Sequence, residues 1–278
     1  MFSSLISVDK LNDMLGKDNL RIVDTRYDLS QSDAGHNAWS KSHIPGALFA
    51  DVHDDLSGEP LTDSGRHPML SPDALQALFE RLGISNNTQV VVYDDSFGAF
   101  AGRLWWMLRY MGHESVAVLD GGWRAWKNAG YGITESVIEI EPGSFMPEKQ
   151  SDRLVLIDEI PTVAGLFDSR EPARYRGEVE PIDPVAGHIP GAINRFWQDN
   201  LDKERGTYKS AQELANEFSN LFNEQDATEQ VFYCGSGVTA CHNILAVTHS
   251  GLGMPRLYAG SWSEWCSNPE RPMATSES

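Results

Sequence analysis

The chain repeats itself once. His43-Ile44-Pro45-Gly46-Ala47 returns as His188-Ile189-Pro190-Gly191-Ala192, at an offset of 145. Upstream, Asp24-Thr25-Arg26 matches Asp168-Ser169-Arg170 at an offset of 144. Downstream, Gly122-Trp123-Arg124-Ala125-Trp126 matches Ser261-Trp262-Ser263-Glu264-Trp265 at an offset of 139. Solenoid units repeat every 20–50 residues or so, so this period belongs to a domain duplicated in tandem. A chain of 278 residues is long enough for two such domains.

Each half alternates strands and helices. In the first, Arg21–Thr25, Gln89–Tyr93 and Ser115–Leu119 are short β-rich runs. Between them Ser71-Pro72-Asp73 opens a helix that Gly83 closes: a cap, a proline at the first position, then apolar Leu75, Leu78, Phe79 and Leu82. Gly102–Met111 reads as a second helix. In the second half Leu166–Ser169, Gln230–Tyr233 and Arg256–Ala259 are strands, with helices over Ala211–Phe222 and Thr239–Ser250. The pattern predicts an α/β fold, each domain a mainly parallel sheet flanked by helices. The expected boundaries are a first domain over 1–137, a linker over 138–152 marked by mixed charge, Pro142, Gly143 and Pro147, and a second domain over 153–278.

Charge narrows the function. There are 22 basic and 40 acidic residues, a formal charge of −18. Such a chain repels nucleic acid and anionic membranes, so neither is an expected partner. An anionic substrate needs local positive potential, which directs attention to arginines near any site. No segment has the length of a membrane span, and the first residues carry no basic, apolar leader. Three cysteines, Cys234, Cys241 and Cys266, do not make a disulfide framework; they suit a reducing cytoplasm. No His, Cys and acidic cluster has zinc spacing, and neither metal nor cofactor is expected.

The strongest chemical signal is Tyr233-Cys234-Gly235-Ser236-Gly237-Val238-Thr239-Ala240. A strand ends at Tyr233 and a helix begins near Thr239, so Cys234 sits at the C-terminal edge of a parallel sheet, where open α/β folds bind ligands. The glycines allow a tight turn whose N–H groups converge on an anion, and the helix adds its positive end. Both effects favour thiolate over thiol. Gly235, Gly237, Val238 and Thr239 are the expected substrate cradle. Inert packing is the competing reading for a buried cysteine, and it is the one adopted for Cys241 and Cys266. Cysteine-dependent phosphatases use a similar loop, but they need an arginine six positions after the nucleophile to clamp phosphate. That position here is Ala240.

With these residues in view, the chain resembles the tandem-domain rhodaneses. The repeated His-Ile-Pro-Gly-Ala, the segment Asp120-Gly-Gly-Trp-Arg-Ala-Trp126 and the Cys234 loop carry the resemblance, from about Leu5 to Cys266. The loop is most similar to that of the 3-mercaptopyruvate sulfurtransferases; thiosulfate sulfurtransferases carry basic residues where this chain has Gly235 and Ser236. The resemblance implies two rhodanese-like domains with the active cysteine only in the second. Tyr93-Asp94 stands opposite Tyr233-Cys234, so the first domain should be catalytically silent. It implies sulfur transfer through a Cys234 persulfide, from a small anionic donor (3-mercaptopyruvate or thiosulfate) to cyanide or a thiol, such as thioredoxin or a low-molecular-weight thiol. A sulfur-carrier protein loaded by a partner is the alternative.

The resemblance also assigns roles. Arg174 matches an arginine that grips the donor's anionic oxygens, against the alternative of a surface arginine in a charged loop. Ser236 matches a serine that polarises the donor, and His67 a first-domain histidine suited to proton relay; a loop histidine without a role is the other reading. The acidic partner of His67 stays open among Asp51, Asp54 and Asp63. Mercaptopyruvate enzymes carry a second arginine at the position of Asp183, which leaves thiosulfate in play. Arg176 is a possible substitute, and Arg66 a source of positive potential. His43 and His188 are read as structural.

Overall fold

The computed structural model describes residues 1–275, so the last three residues of the expected 153–278 domain lie outside the described residues. The chain forms two compact units. One comprises Met1–Gly58, Leu70–Gln150 and Asp202–Tyr208; the other comprises Glu59–Met69, Ser151–Leu201 and the chain from Lys209. Thus each unit incorporates a short segment from the other half of the sequence. Among the described residues no helix is long and apolar enough to cross a membrane.

The first unit contains strands β1 (Leu5–Ile6), β2 (Leu20–Asp24), β3 (Ala47–Phe49), β4 (Gln89–Tyr93) and β5 (Val116–Leu119), in the sheet order β1-β5-β4-β2-β3. All its pairings are parallel. Its helices are α1 (Val8–Asn12), α2 (Ala34–Lys41), α3 (Pro72–Arg81), α4 (Ala101–Tyr110) and α5 (Gly122–Asn128). The second unit repeats the plan. Strands β6 (Leu154–Val155), β7 (Gly165–Asp168) and β8 (Ile193–Asn194) precede in the chain a small ribbon, β9 (Leu201–Asp202) and β10 (Thr207–Tyr208), most of which lies in the segment that belongs to the first unit. Strands β11 (Gln230–Tyr233) and β12 (Arg256–Tyr258) complete a parallel sheet of order β6-β12-β11-β7-β8. Its helices are α6 (Pro172–Tyr175), α7 (Ala211–Leu221), α8 (Ala240–His249) and α9 (Ser261–Trp265). The edge strands β1, β3, β6 and β8 have two or three residues each, too short to show a periodic pattern.

Local chemistry accounts for the helices. In α3 the Ser71 hydroxyl accepts the Ala74 N–H at 3.2 Å and Pro72 fills the first turn. In α7, Ser210 and Glu213 form a reciprocal capping box, and Leu214 and Phe218 turn inward. Helix α8 is apolar nearly all round because it lies between α7 and the sheet strands β11 and β12.

The tandem repeat is a repeated scaffold. Arg26 forks onto Asp24 with Nη2–Oδ2 at 2.6 Å, donates to the Ser42 carbonyl and lies 4.6 Å from the Trp123 ring centroid. Arg170 does the same with Asp168 at 2.6 Å, the Gly187 carbonyl and, at 4.8 Å, the Trp262 ring. Burial disfavours the Arg170 charge, yet Asp168 outweighs it and raises the guanidinium pKa. His43 and His188 are fully packed, each with Nδ1 on a backbone carbonyl, of Trp39 at 2.8 Å and Tyr175 at 2.7 Å. Each also forms an antiparallel bridge, to Thr134 and to Ala274. The sequence signatures therefore tie the C-terminal ends of β2 and β7 to the aromatic helices α5 and α9.

Much of the segment 138–152 is bound to the first unit. Gly143 N–H donates to the Glu80 carbonyl at 2.7 Å, Gln150 N–H to Tyr110 at 2.8 Å, and Phe145 packs edge-on to Phe79 at 5.1 Å. An extended chain held by backbone bonds has no apolar period, so its composition resembles that of a free linker.

Candidate active site

The two units differ where β4 and β11 end. In the first, the loop after Tyr93 closes around the buried carboxylate of Asp94. Its Oδ1 accepts the N–H of Ser96 and Gly98, and its Oδ2 those of Phe100 and Ala101, all at 2.8 Å. Burial pushes the carboxyl pKa up and these four donors oppose it. Because both oxygens accept twice, the geometry fits the ionised form. The loop is an anion cradle already filled by its own side chain. Asp94→Ala would orphan four N–H donors, two of them on buried residues, and is expected to cost about 3 kcal/mol, read as a lower urea midpoint. Asp94→Asn, which keeps one accepting oxygen, should lose less.

In the second unit the equivalent position is Cys234. Its N–H donates to the Ser261 hydroxyl at 3.1 Å, and its carbonyl accepts the Trp262 N–H at 3.0 Å. Ser261 adopts the left-handed φ of 59°, strained for serine; the same hydroxyl donates to the Tyr258 carbonyl at 3.0 Å and holds it there. The Gly237 N–H points at Cys234 Sγ from 3.2 Å. Gly237 has φ of 75°, and a Cβ there would approach the Ala259 carbonyl oxygen to 2.3 Å, so no other residue fits without moving the loop. Val238 is buried beside the loop, and Thr239 leads into α8.

The Cys234 thiol is 2% exposed. Burial alone would raise its pKa. The Thr239 hydroxyl and the N–H groups of Ser236, Ala240 and Gly237 outweigh burial and bring the pKa below that of a free cysteine. The start of α8 works in the same direction. Alkylation of Cys234 should therefore reach half its maximal rate at a lower pH than a free thiol. A midpoint at or above the ordinary cysteine pKa, roughly 8.5, would contradict this.

Charged and polar groups surround the loop. Ser236 Oγ and His67 Nδ1 lie 2.7 Å apart, both buried, in a hydrogen bond whose direction follows the ring tautomer. The segment Glu59–Met69 that carries His67 packs with the second unit, although it lies in the first half of the sequence. Of the acidic residues considered for His67, Asp51 accepts the N–H of His53 and Asp54 at 2.7 and 3.1 Å, while Asp54 and Asp63 are exposed. Arg66 is anchored by its N–H to the Ser263 hydroxyl at 3.1 Å. Burial lowers the pKa of its guanidinium, whereas the Cys234 charge raises it. A Cβ on Gly235 would lie 3.0 Å from Arg66 Nη2 and 3.6 Å from Arg174 Nη2, so the bare glycine leaves room for two cations beside the cysteine.

Carboxylates hold those cations. Glu180 accepts from Arg174 Nη2 at 2.6 Å and Nε at 3.0 Å, and from Arg170 Nη1 at 3.3 Å. Asp183 Oδ2 accepts from Arg174 at 3.1 Å, and its Oδ1 pairs closely with Arg66. Arg176 does not substitute for the missing arginine. It pairs with Glu178 at 2.7 Å on the surface, and Arg66 is the second guanidinium beside Gly235. Sequence reading alone did not reach Glu180, Ser261 and Ser263. Ser261 and Ser263 lie in the repeated segment, as the counterparts of Gly122 and Arg124, whereas Glu180 carried no signal.

The other two cysteines are core residues. Cys241 is fully buried and donates to the Gly237 carbonyl at 3.4 Å; Cys266 belongs to the apolar core, and burial raises its pKa.

The rhodanese-like domain family matches residues 7–129 and 152–268. The chain belongs to the rhodanese family. It is 43% identical over 284 residues to a probable 3-mercaptopyruvate sulfurtransferase of Pseudomonas aeruginosa, covering 99% of both chains. It is 35% identical to the thiosulfate sulfurtransferase of Mus musculus, over 89% of this chain and 85% of that protein. Among solved structures, the 3-mercaptopyruvate sulfurtransferase of Leishmania major superposes with a TM-score of 0.85 at 33% identity, over 95% of this chain and 74% of that one. Rhodanese relatives thus share the whole two-unit plan, and the match leaves out only the extended segment between them and the ends.

Proposed function

We propose that Cys234 carries sulfur as a persulfide between a small anionic donor, 3-mercaptopyruvate or thiosulfate, and a cyanide or thiol acceptor. The chain is a sulfurtransferase, as its rhodanese relatives over the full length are named. The observation that carries the route is a cysteine whose pKa is lowered by converging N–H and O–H donors, with two arginines beside it.

In the first half-reaction the Cys234 thiolate attacks the donor's terminal sulfur. With thiosulfate, the S–S bond breaks and its electron pair leaves with sulfite. With 3-mercaptopyruvate, the C–S bond breaks, the pair leaves on the pyruvate enolate, and the thiol proton ends on the enolate carbon. Ser236 and His67 move that proton. Arg174 and Arg66 bind the donor's oxygens, and the planar guanidinium of Arg174 suits two parallel bonds. Gly235, Gly237, Val238 and Thr239 form the cradle that stabilises the persulfide anion. In the second half-reaction the acceptor, cyanide or a thiolate such as that of thioredoxin or a low-molecular-weight thiol, takes the outer sulfur and Cys234 leaves as thiolate. This order is ping-pong. Three free cysteines suit a reducing compartment, and the cytoplasm is the location we propose.

Intact mass after incubation with each donor tests the reading. One added sulfur, lost on addition of a thiol, is the expected result. No added sulfur from either donor would favour a carrier loaded by a partner protein.

A further inference from the structure

Asp183 stands where related mercaptopyruvate enzymes were expected to present a second cation, and it does the reverse of adding charge. Its side chain is 2% exposed and bridges Arg66 and Arg174, the two guanidiniums beside Gly235. Glu180 bridges Arg174 and Arg170, and Asp168 holds Arg170. Three arginines thus face three carboxylates. The cluster is built of cations, yet its formal charge is zero before the Cys234 thiolate contributes its own negative charge.

We propose that Asp183 is a specificity-determining residue that biases the site toward singly charged donors and against doubly charged ones. This rests on the sulfurtransferase reading above. At neutral pH thiosulfate carries two negative charges, whereas 3-mercaptopyruvate carries one, on its carboxylate. Both must approach the same thiolate and the same neutralised arginines. The Asp183 charge therefore opposes thiosulfate twice as strongly. The same carboxylate keeps both guanidiniums directed at the loop, so the arginines stay in place while their field is reduced.

The test compares kcat/KM for thiosulfate and 3-mercaptopyruvate with one thiol acceptor, in the wild type and in Asp183→Asn. The thiosulfate-to-mercaptopyruvate ratio is expected to rise about tenfold or more in the variant, the size of one unit-charge interaction at roughly 12 Å in a medium of effective dielectric constant about 20. The gain should shrink in high salt. Asp183→Ala, read by the same ratio, serves if the amide packs badly. A residue that merely held the arginines would lower both donors alike, and a ratio unchanged within about twofold, or lowered, would overturn the proposal. A wild-type protein that takes sulfur from neither donor would instead overturn the sulfurtransferase reading itself.

Discussion

Cys234→Ser is expected to reduce turnover of both donors by at least about 10⁴-fold, with no sulfur adduct by mass. The serine hydroxyl does not ionise at neutral pH, even inside the N–H cradle, and it cannot form a stable bond to a transferable sulfur. No neighbouring thiol can replace it. Cys241 is turned to the Gly237 carbonyl, and Cys266 is buried with a raised pKa. The fold should be preserved, because oxygen is smaller than sulfur and the same donors remain. Turnover above about 1% of wild type in a correctly folded Cys234→Ser protein would exclude the persulfide route.

The second large effect falls on donor binding. Arg174→Gln removes a cation from between Glu180 and Asp183 and leaves two buried carboxylates facing the site. The donor then meets repulsion as well as a missing partner. Removing one partner of a buried charge pair costs about 2–5 kcal/mol, so kcat/KM should fall by roughly 10²–10³-fold, mainly through KM. Arg176→Gln provides the contrast. Arg176 pairs with Glu178 at the surface, and a change within about twofold is expected. Equal losses in the two variants would mean that position 174 acts on folding rather than on the donor.

These two outcomes depend on parts of the site that were legible to different degrees. The Cys234 loop could be read directly, because strand, cysteine, two glycines and helix are contiguous and a local turn makes the chemistry. The counterpart Asp94 was legible for the same reason, although its four N–H bonds were not. Arg66 was harder. Nothing in Gly65-Arg66-His67 indicates that it reaches Gly235, and the expected substitute for the missing arginine was Arg176. Sequence neighbours suggested Arg176 because it lies close to Arg174 in the chain. Its actual partner, Glu178, is two residues away, and that local pair turns it outward.

The repeat, the alternation of strands and helices and the loop chemistry were properties of the chain alone, since each depends on residues within one turn or one strand. From these follow two parallel α/β units and, in the second, a cysteine set in a glycine loop at the end of a strand. Tertiary structure decided which cations face the sulfur, which carboxylates restrain them, and that the segment bearing Arg66 and His67 joins the second unit. The reason is physical. Charges distant in sequence meet only when the fold of one unit brings their segments together, and the sign of the field beside Cys234 is a sum over residues from 66 to 183 that no local pattern encodes.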